Sequence, residues 1–244
     1  MRTSHSLFVF ACTLVILCGY TPCTHAGATP LEQPITLEKI RDRLNNEFVI
    51  GDKRFSNFSL HSEATGGGLP LDESSTFVQG FIIDNFIVAL QFTLAGAQIP
   101  PNSSIDLFLD YEVEFLPQYP DFFIVQTGQR LNGVSALGTG LVRMDETILD
   151  STGTNVLGTS YTSRVDDQSQ DRLTDVTDIT PQRSIVESLH LQIDAGPQGV
   201  AAISGFVQVF TQEIPEPTTM CLLAAGIMHL RRRRRSARQT HVAA

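Results

Sequence analysis

Apolar and polar residues alternate through much of the middle of this chain. Across residues 105–115 the odd positions are Ile105, Leu107, Leu109, Tyr111, Val113 and Phe115. The even positions are Asp106, Phe108, Asp110, Glu112 and Glu114, so only Phe108 breaks the pattern. A period of two held this long predicts a strand with one buried face and one wet face. Leu189, Leu191 and Ile193 alternate in the same way with Ser188, His190, Gln192 and Asp194. More uniformly apolar runs predict further strands: 77–94 as a pair turning near Asp84 and Asn85, then 122–126 and 200–211. The run 141–149 is weaker, because Glu146 interrupts its apolar face. Turns rich in Gly, Pro, Asn and Asp separate these runs. One helix is expected near residue 36, with Thr36 as its cap and Leu37, Ile40 and Leu44 at helical spacing. The polar stretch 150–178 predicts a long loop or weakly paired strands. No repeat of fixed period is present. The pattern predicts an all-β fold for residues 27–214: an antiparallel β-sandwich of jelly-roll type with one short N-terminal helix.

Charge and cysteine then divide the chain into three parts. Residues 27–214 carry 10 Lys and Arg against 25 Asp and Glu, while residues 215–244 carry six arginines against Glu216. A body so acidic excludes nucleic acid as its partner, since neutralising phosphates needs basic side chains. Cys12, Cys18, Cys23 and Cys221 all lie outside residues 27–214. That body therefore holds no disulfide, no Cys-ligated zinc and no Cys nucleophile. At 244 residues the chain has room for a substantial core, and its 18% of charged residues is too low for a disordered one.

The N-terminus has the layout of a secretory signal peptide. Arg2 precedes an apolar run over residues 7–19, and Thr24 and Ala26 put small residues at the −3 and −1 positions for cleavage after Ala26. As a helix that run reaches only about 20 Å, short of a bilayer core of about 30 Å. The C-terminus has three parts in order: Pro215, Glu216 and Pro217; an apolar segment over 220–230; and Arg231, Arg232, Arg233, Arg234 and Arg235. Physically this is a stop-transfer device, with the arginines held on the cytoplasmic side. The apolar segment spans only about 16 Å as a helix, which suits a transient hold better than a permanent anchor.

This composite resembles the PEP-CTERM sorting signal of Gram-negative bacteria. The resemblance covers residues 215–235. It implies that an exosortase-like membrane enzyme recognises Pro215, Glu216 and Pro217 and cuts near them, after transient insertion in the inner membrane. Release to the cell surface or extracellular matrix would follow, and such systems tend to accompany exopolysaccharide. The stretch from Gly51 and Asp52 through Lys53, Arg54, Phe55, Ser56, Asn57 and Phe58 looks like the opening strand of many PEP-CTERM ectodomains. It supports the sandwich, with Phe55 and Phe58 as core anchors. The organisation expected is therefore a signal peptide over 1–26, a sandwich ectodomain over 27–214 and a sorting signal over 215–244.

Candidate chemistry in the body is sparse. Asp110, Glu112 and Glu114 share one strand face at intervals of about 7 Å. Paired carboxylates at such separations serve glycosidases, and three in a row can hold calcium. A solvated sheet face that discourages edge pairing is the better reading, since one aligned strand is a weak warrant for either. Asp166, Asp167, Asp171, Asp175 and Asp178 do not fit the calcium-loop spacing, and 150–155 is likewise incomplete. His61 and His190 are the only histidines of the body, and no Gly-x-Ser-x-Gly is present. The body has no Trp and only Tyr111, Tyr119 and Tyr161, with Tyr119 expected on an exposed, proline-stiffened loop. No catalytic residue, metal or cofactor is assigned. The function expected is an exported surface or matrix protein with a structural or adhesive role. The alternative is a carbohydrate-binding module, with or without calcium, and extracellular polysaccharide is the second expected partner; a glycoside hydrolase ranks third.

Overall fold

The computed structural model describes residues 33–43, 46–84, 86–165 and 171–214. The signal-peptide residues, Ala26 included, and the sorting-signal residues Pro215, Glu216, Pro217, Arg231, Arg232, Arg233, Arg234 and Arg235 lie outside the described residues, as do Leu44, Asn85, Asp166 and Asp167. The described chain runs β1 (Ile35–Thr36), α1 (Leu37–Arg41), β2 (Glu47–Ile50), β3 (Lys53–Thr65), β4 (Thr76–Asp84), β5 (Ile87–Leu94), β6 (Gln98–Ile99), β7 (Ser104–Phe115), β8 (Phe123–Asn132), β9 (Ser135–Leu137), β10 (Leu141–Asp150), β11 (Val156–Val165), β12 (Thr174–Gln182), β13 (Ser184–Asp194), β14 (Val200–Ala202) and β15 (Gly205–Glu213).

Two six-stranded sheets form an antiparallel sandwich. One has the order β11-β10-β13-β7-β3-β2, the other β1-β4-β5-β15-β8-β12. A small third sheet, β6-β14-β9, closes one end. Between β3 and β15 the chain crosses repeatedly from one large sheet to the other, as in a jelly roll. The edge strands β11 and β12 also meet: the Tyr161 N–H donates to Asp175 Oδ2 at 3.0 Å and the Thr177 hydroxyl to the Thr159 carbonyl at 3.1 Å. Those bonds satisfy edge groups that would otherwise recruit another strand.

The alternation in β7 is realised as read. Ile105, Leu107, Leu109, Tyr111, Val113 and Phe115 are all buried, and Leu189, Leu191 and Ile193 meet them from β13. Phe48, Phe55, Phe92, Phe206 and Phe210 fill the middle, with Phe92 stacked on Phe206 at 4.7 Å. Each such side chain contributes about 1.5–3 kcal/mol by leaving water. In α1, Thr36 accepts a bond from the Lys39 N–H at 3.4 Å, and Leu37 and Ile40 are buried.

Three expectations are corrected. Of the two readings offered for 150–178 the loop is corrected and the strands hold: β11 and the start of β12 occupy much of it, as edge strands whose Ser and Thr residues suit a half-wet pleated surface. The run 200–211 is two strands, broken at Ile203 and Ser204. Tyr119 is not an exposed loop ring; it packs against the core beside Phe122, at 5.3 Å. Among the described residues no helix is long and apolar enough to cross a membrane.

Candidate functional site

The open face of the sheet containing β7 carries a transverse row of side chains at one register position. His61 on β3 pairs with Phe108 on β7, Phe108 with His190 on β13, His190 with Asp145 on β10, and Asp145 with Tyr161 on β11. Each strand alternates, and each of these residues sits between two inward-facing neighbours, so all five point outward. At about 4.8 Å per strand the row is roughly 19 Å long. Phe108 is 39% exposed and Tyr161 43%, so both rings reach solvent.

The rings contact one another. His190 stacks on Phe108 with centroids 4.4 Å apart and planes within 7°, and His61 stacks on its other side at 6.2 Å and 23°. The faces of Phe108 are thus taken by its neighbours, and ring edges meet solvent. Carboxylates line the ridge: Asp106 contacts His190 Nε2 at 2.9 Å and Glu63 contacts His61 Nε2 at 3.1 Å. At the other end the guanidiniums of Arg172 and Arg143 lie 4.4 and 5.6 Å from the Tyr161 ring. Arg143 is held by Asp145 at 2.6 Å, and Arg172 by Asp175. Each end of the row opens into a cleft. One, of about 480 Å³, is walled by His61, Leu60, Pro70 and Asp72; the other, of about 490 Å³, by Tyr161, Arg143, Arg172 and Thr159. The result is a row of rings, interrupted by Asp145 and flanked by both donors and acceptors, which suits a ligand rich in hydroxyls better than a single small charged one.

Beneath this face the sandwich interior holds a polar cluster. Glu146 and Glu187 are almost wholly buried, on adjacent strands β10 and β13. Glu146 accepts bonds from the hydroxyls of Ser160 and Thr127. With its amide nitrogen turned inward, Gln208 also donates to Glu146 Oε1 at 3.0 Å. Both oxygens of Glu187 lack a donor while the two carboxyls are ionised. A proton on Glu187 makes it the donor and Glu146 the acceptor. Burial first, and then the Glu146 charge, raise the Glu187 carboxyl well above the ordinary range. Burial likewise raises Glu146, opposed by its hydrogen bonds. Tyr111, directly opposite Glu187, is buried and its phenol is pushed up for the same reasons. This pair lies inside the core, where it tunes stability and meets no substrate.

Among the described residues the carboxylates singled out in the sequence do not converge. Asp110, Glu112 and Glu114 follow one another along the open face of β7, and Glu114 is engaged by Arg54. Asp171 pairs with Arg164 at 2.8 Å, Asp178 with Gln126 at 2.7 Å. Asp150 accepts local donors from Thr152, Thr154 and Asn155, which lower its carboxyl and define a tight turn between β10 and β11. Among the described residues no group of three or more His, Cys, Asp or Glu side chains could hold a metal ion. Sequence reasoning treated Phe108 and His190 separately, as a break in the pattern and a surface histidine. The register that aligns them is a tertiary fact, but an apolar residue on an otherwise acidic face was its one visible trace.

No protein-family model and no curated protein matches the chain. Solved structures with a detectable likeness include CsCBM6-3 from Clostridium stercorarium in complex with cellobiose, at 12% identity and a TM-score of 0.21, covering 78% of this chain and 98% of that one. A family 11 carbohydrate-binding module from Clostridium thermocellum, in complex with a mixed-linked tetrasaccharide, shares 9% identity at a TM-score of 0.21, covering 64% and 87%. The active domain of bacteriophage CBA120 tailspike protein 4 shares 11% identity at a TM-score of 0.26; the match covers 66% of this chain but only 20% of that one. Likenesses this remote carry no inference about what this chain binds.

Proposed function

We propose that this chain is an exported surface or matrix protein whose sandwich binds extracellular polysaccharide through the open face of its β7-containing sheet. The observation that carries the binding reading is the row from His61 through Phe108 and His190 to Tyr161, on the open face of the sheet and flanked by carboxylates and guanidiniums. Ring edges exclude water along the ridge, while Asp106, Glu63 and Asp145 accept from sugar hydroxyls and Arg143 and Arg172 donate. Its length suits an extended polymer of several sugar units. A body carrying 25 acidic against 10 basic residues favours a neutral polymer over an anionic one. The test is affinity electrophoresis of the folded chain in gels containing neutral polysaccharides, beside a Phe108→Ala variant. Retardation of the parent and loss of retardation in the variant support the reading. Equal retardation of both removes the row from it.

The export and sorting reading rests on the ends of the sequence: the apolar run before Ala26 and the order Pro215, Glu216, Pro217, apolar segment, arginines. An exosortase-like enzyme is its partner. Terminal peptides of the mature protein from its native host test it. Termini near Gly27 and Pro217 support it, and peptides carrying residues 231–244 in the mature form overturn it.

A further inference from the structure

Lys53 is the first residue of β3 and points into the sandwich, in a position where the strand pattern calls for an apolar side chain. It is fully buried. The turn of Gly51 and Asp52 delivers it there, and the strand places it opposite Phe115, whose ring lies 4.5 Å from the Nζ. Across the interior, Gln212 reaches down from β15, the last strand of the other sheet, and is also buried. Three groups meet at this point. The Lys53 Nζ contacts the Gln212 Oε1 and lies 2.9 Å from Asp52 Oδ1. The Gln212 amide nitrogen donates to the other Asp52 oxygen at 2.7 Å. One carboxylate therefore bridges an amine and the amide nitrogen of the carboxamide that the amine touches.

We propose that Lys53 and Gln212 form an intramolecular isopeptide bond, with Asp52 carrying the protons. The Lys53 ammonium gives a proton to Asp52, and the neutral Nζ attacks the Gln212 side-chain carbonyl carbon. The tetrahedral intermediate expels the amide nitrogen. The new N–C bond replaces the broken Cδ–Nε2 bond. The two protons lost from the Lys53 ammonium end on the departing nitrogen, one delivered through Asp52, so that ammonium leaves and Asp52 is again a carboxylate. No oxidant, reductant or co-substrate is required.

The surroundings favour each step. Burial lowers the lysine below its ordinary value, which makes the neutral nucleophile accessible, while the Asp52 charge opposes this. Burial also keeps water from competing for the carbonyl carbon. Holding amine, carboxamide and acid in contact removes the entropic cost of bringing them together. Asp52 also walls a groove of about 460 Å³, which gives the released ammonia a way out. The link would join residues 53 and 212, near opposite ends of a body that contains no cysteine. It would do the work of a disulfide without one, tying the first long strand to the last across both sheets.

The experiment is intact-mass and tandem mass spectrometry of the purified full-length chain after prolonged incubation in the folded state. The expected result is a chain lighter by one ammonia, resistance to trypsin after Lys53, and one branched peptide containing both Lys53 and Gln212. A Lys53→Arg variant and an Asp52→Ala variant, each confirmed as folded by circular dichroism, are expected to keep the full mass. A parent chain that keeps the full mass, with Lys53 and Gln212 recovered on separate peptides, overturns the proposal. Cross-linking of Asp52→Ala to the parental extent overturns the role given to Asp52. Because these readouts involve no polysaccharide, they are independent of the binding reading.

Discussion

Two single residues carry the most informative chemistry of the described body, and they sit on opposite faces of one sheet. Phe108 points to the open face but is only 39% exposed, because His61 and His190 cover its ring, so its truncation is expected to cost about 0.5–1.5 kcal/mol in folding. Its loss unstacks His61 and His190 together. Phe108→Ala is expected to weaken polysaccharide binding about tenfold while the variant stays folded with a modestly lowered denaturation midpoint, as measured by affinity electrophoresis beside a urea titration. Glu187 faces inward and acts on stability alone. Its carboxyl is raised in the fold, so the folded state holds a proton that the unfolded chain releases at lower pH. The contribution is therefore complete in mild acid, below the ordinary glutamate value, and declines as pH rises toward the raised one. Glu187→Gln keeps a donor for Glu146 without a titrating proton. It is expected to stabilise the fold by about 1–2 kcal/mol at neutral pH, the scale of one buried unsatisfied polar group, and to flatten this decline. Parallel urea titrations at pH 5 and pH 8 check it. A variant less stable than the parent at pH 8 would show that Glu187 is not held as the neutral acid.

Among the elements, legibility followed periodicity. The strand β7 and the inward residues of β13 could be read directly, because each has one wet and one dry face. Glu146 looked like an interruption in β10, yet it is buried with the rest of that face. The polar partners that make its burial tolerable come from β8, β11 and β15, which no local pattern connects to it. Lys53 was hidden for the same reason: a lysine at a strand start reads as solvated until Gln212 and Asp52 are seen beside it. The edge strands β11 and β12 were legible only as one of two alternatives, because their exposed Ser and Thr residues resemble loop composition. Just after the division of the run 200–211, Gly205 stands under a steric constraint. A side chain at Gly205 would bring its Cβ to 2.0 Å from the Phe92 carbonyl oxygen, so the crossing into β15 needs a residue without one. Gly205→Ala is expected to displace β15 from β5 and to destabilise the fold by about 1–3 kcal/mol. Chemical denaturation measures it, and a cost below about 0.5 kcal/mol would mean that the two strands separate there easily.

For the molecule as a whole, charge decides which kind of polymer this face can hold. The body is strongly acidic, and the basic residues of the C-terminal segment are the ones a sorting cleavage would remove. Repulsion from the body acts over roughly a Debye length, about 10 Å at 0.1 M salt, which is shorter than the row on the sheet. Binding carried by ring edges and hydroxyl hydrogen bonds is short-ranged and is not screened in this way. The affinity of the folded chain for a neutral polysaccharide is therefore expected to change less than about twofold between roughly 50 and 500 mM salt. An anionic polysaccharide should bind more weakly at low salt and gain as salt screens the repulsion. Isothermal titration across that salt series separates the cases. Affinity that falls steeply with salt would mean that the arginines near Tyr161 dominate, and that the ridge centred on Phe108 is not what holds the polymer.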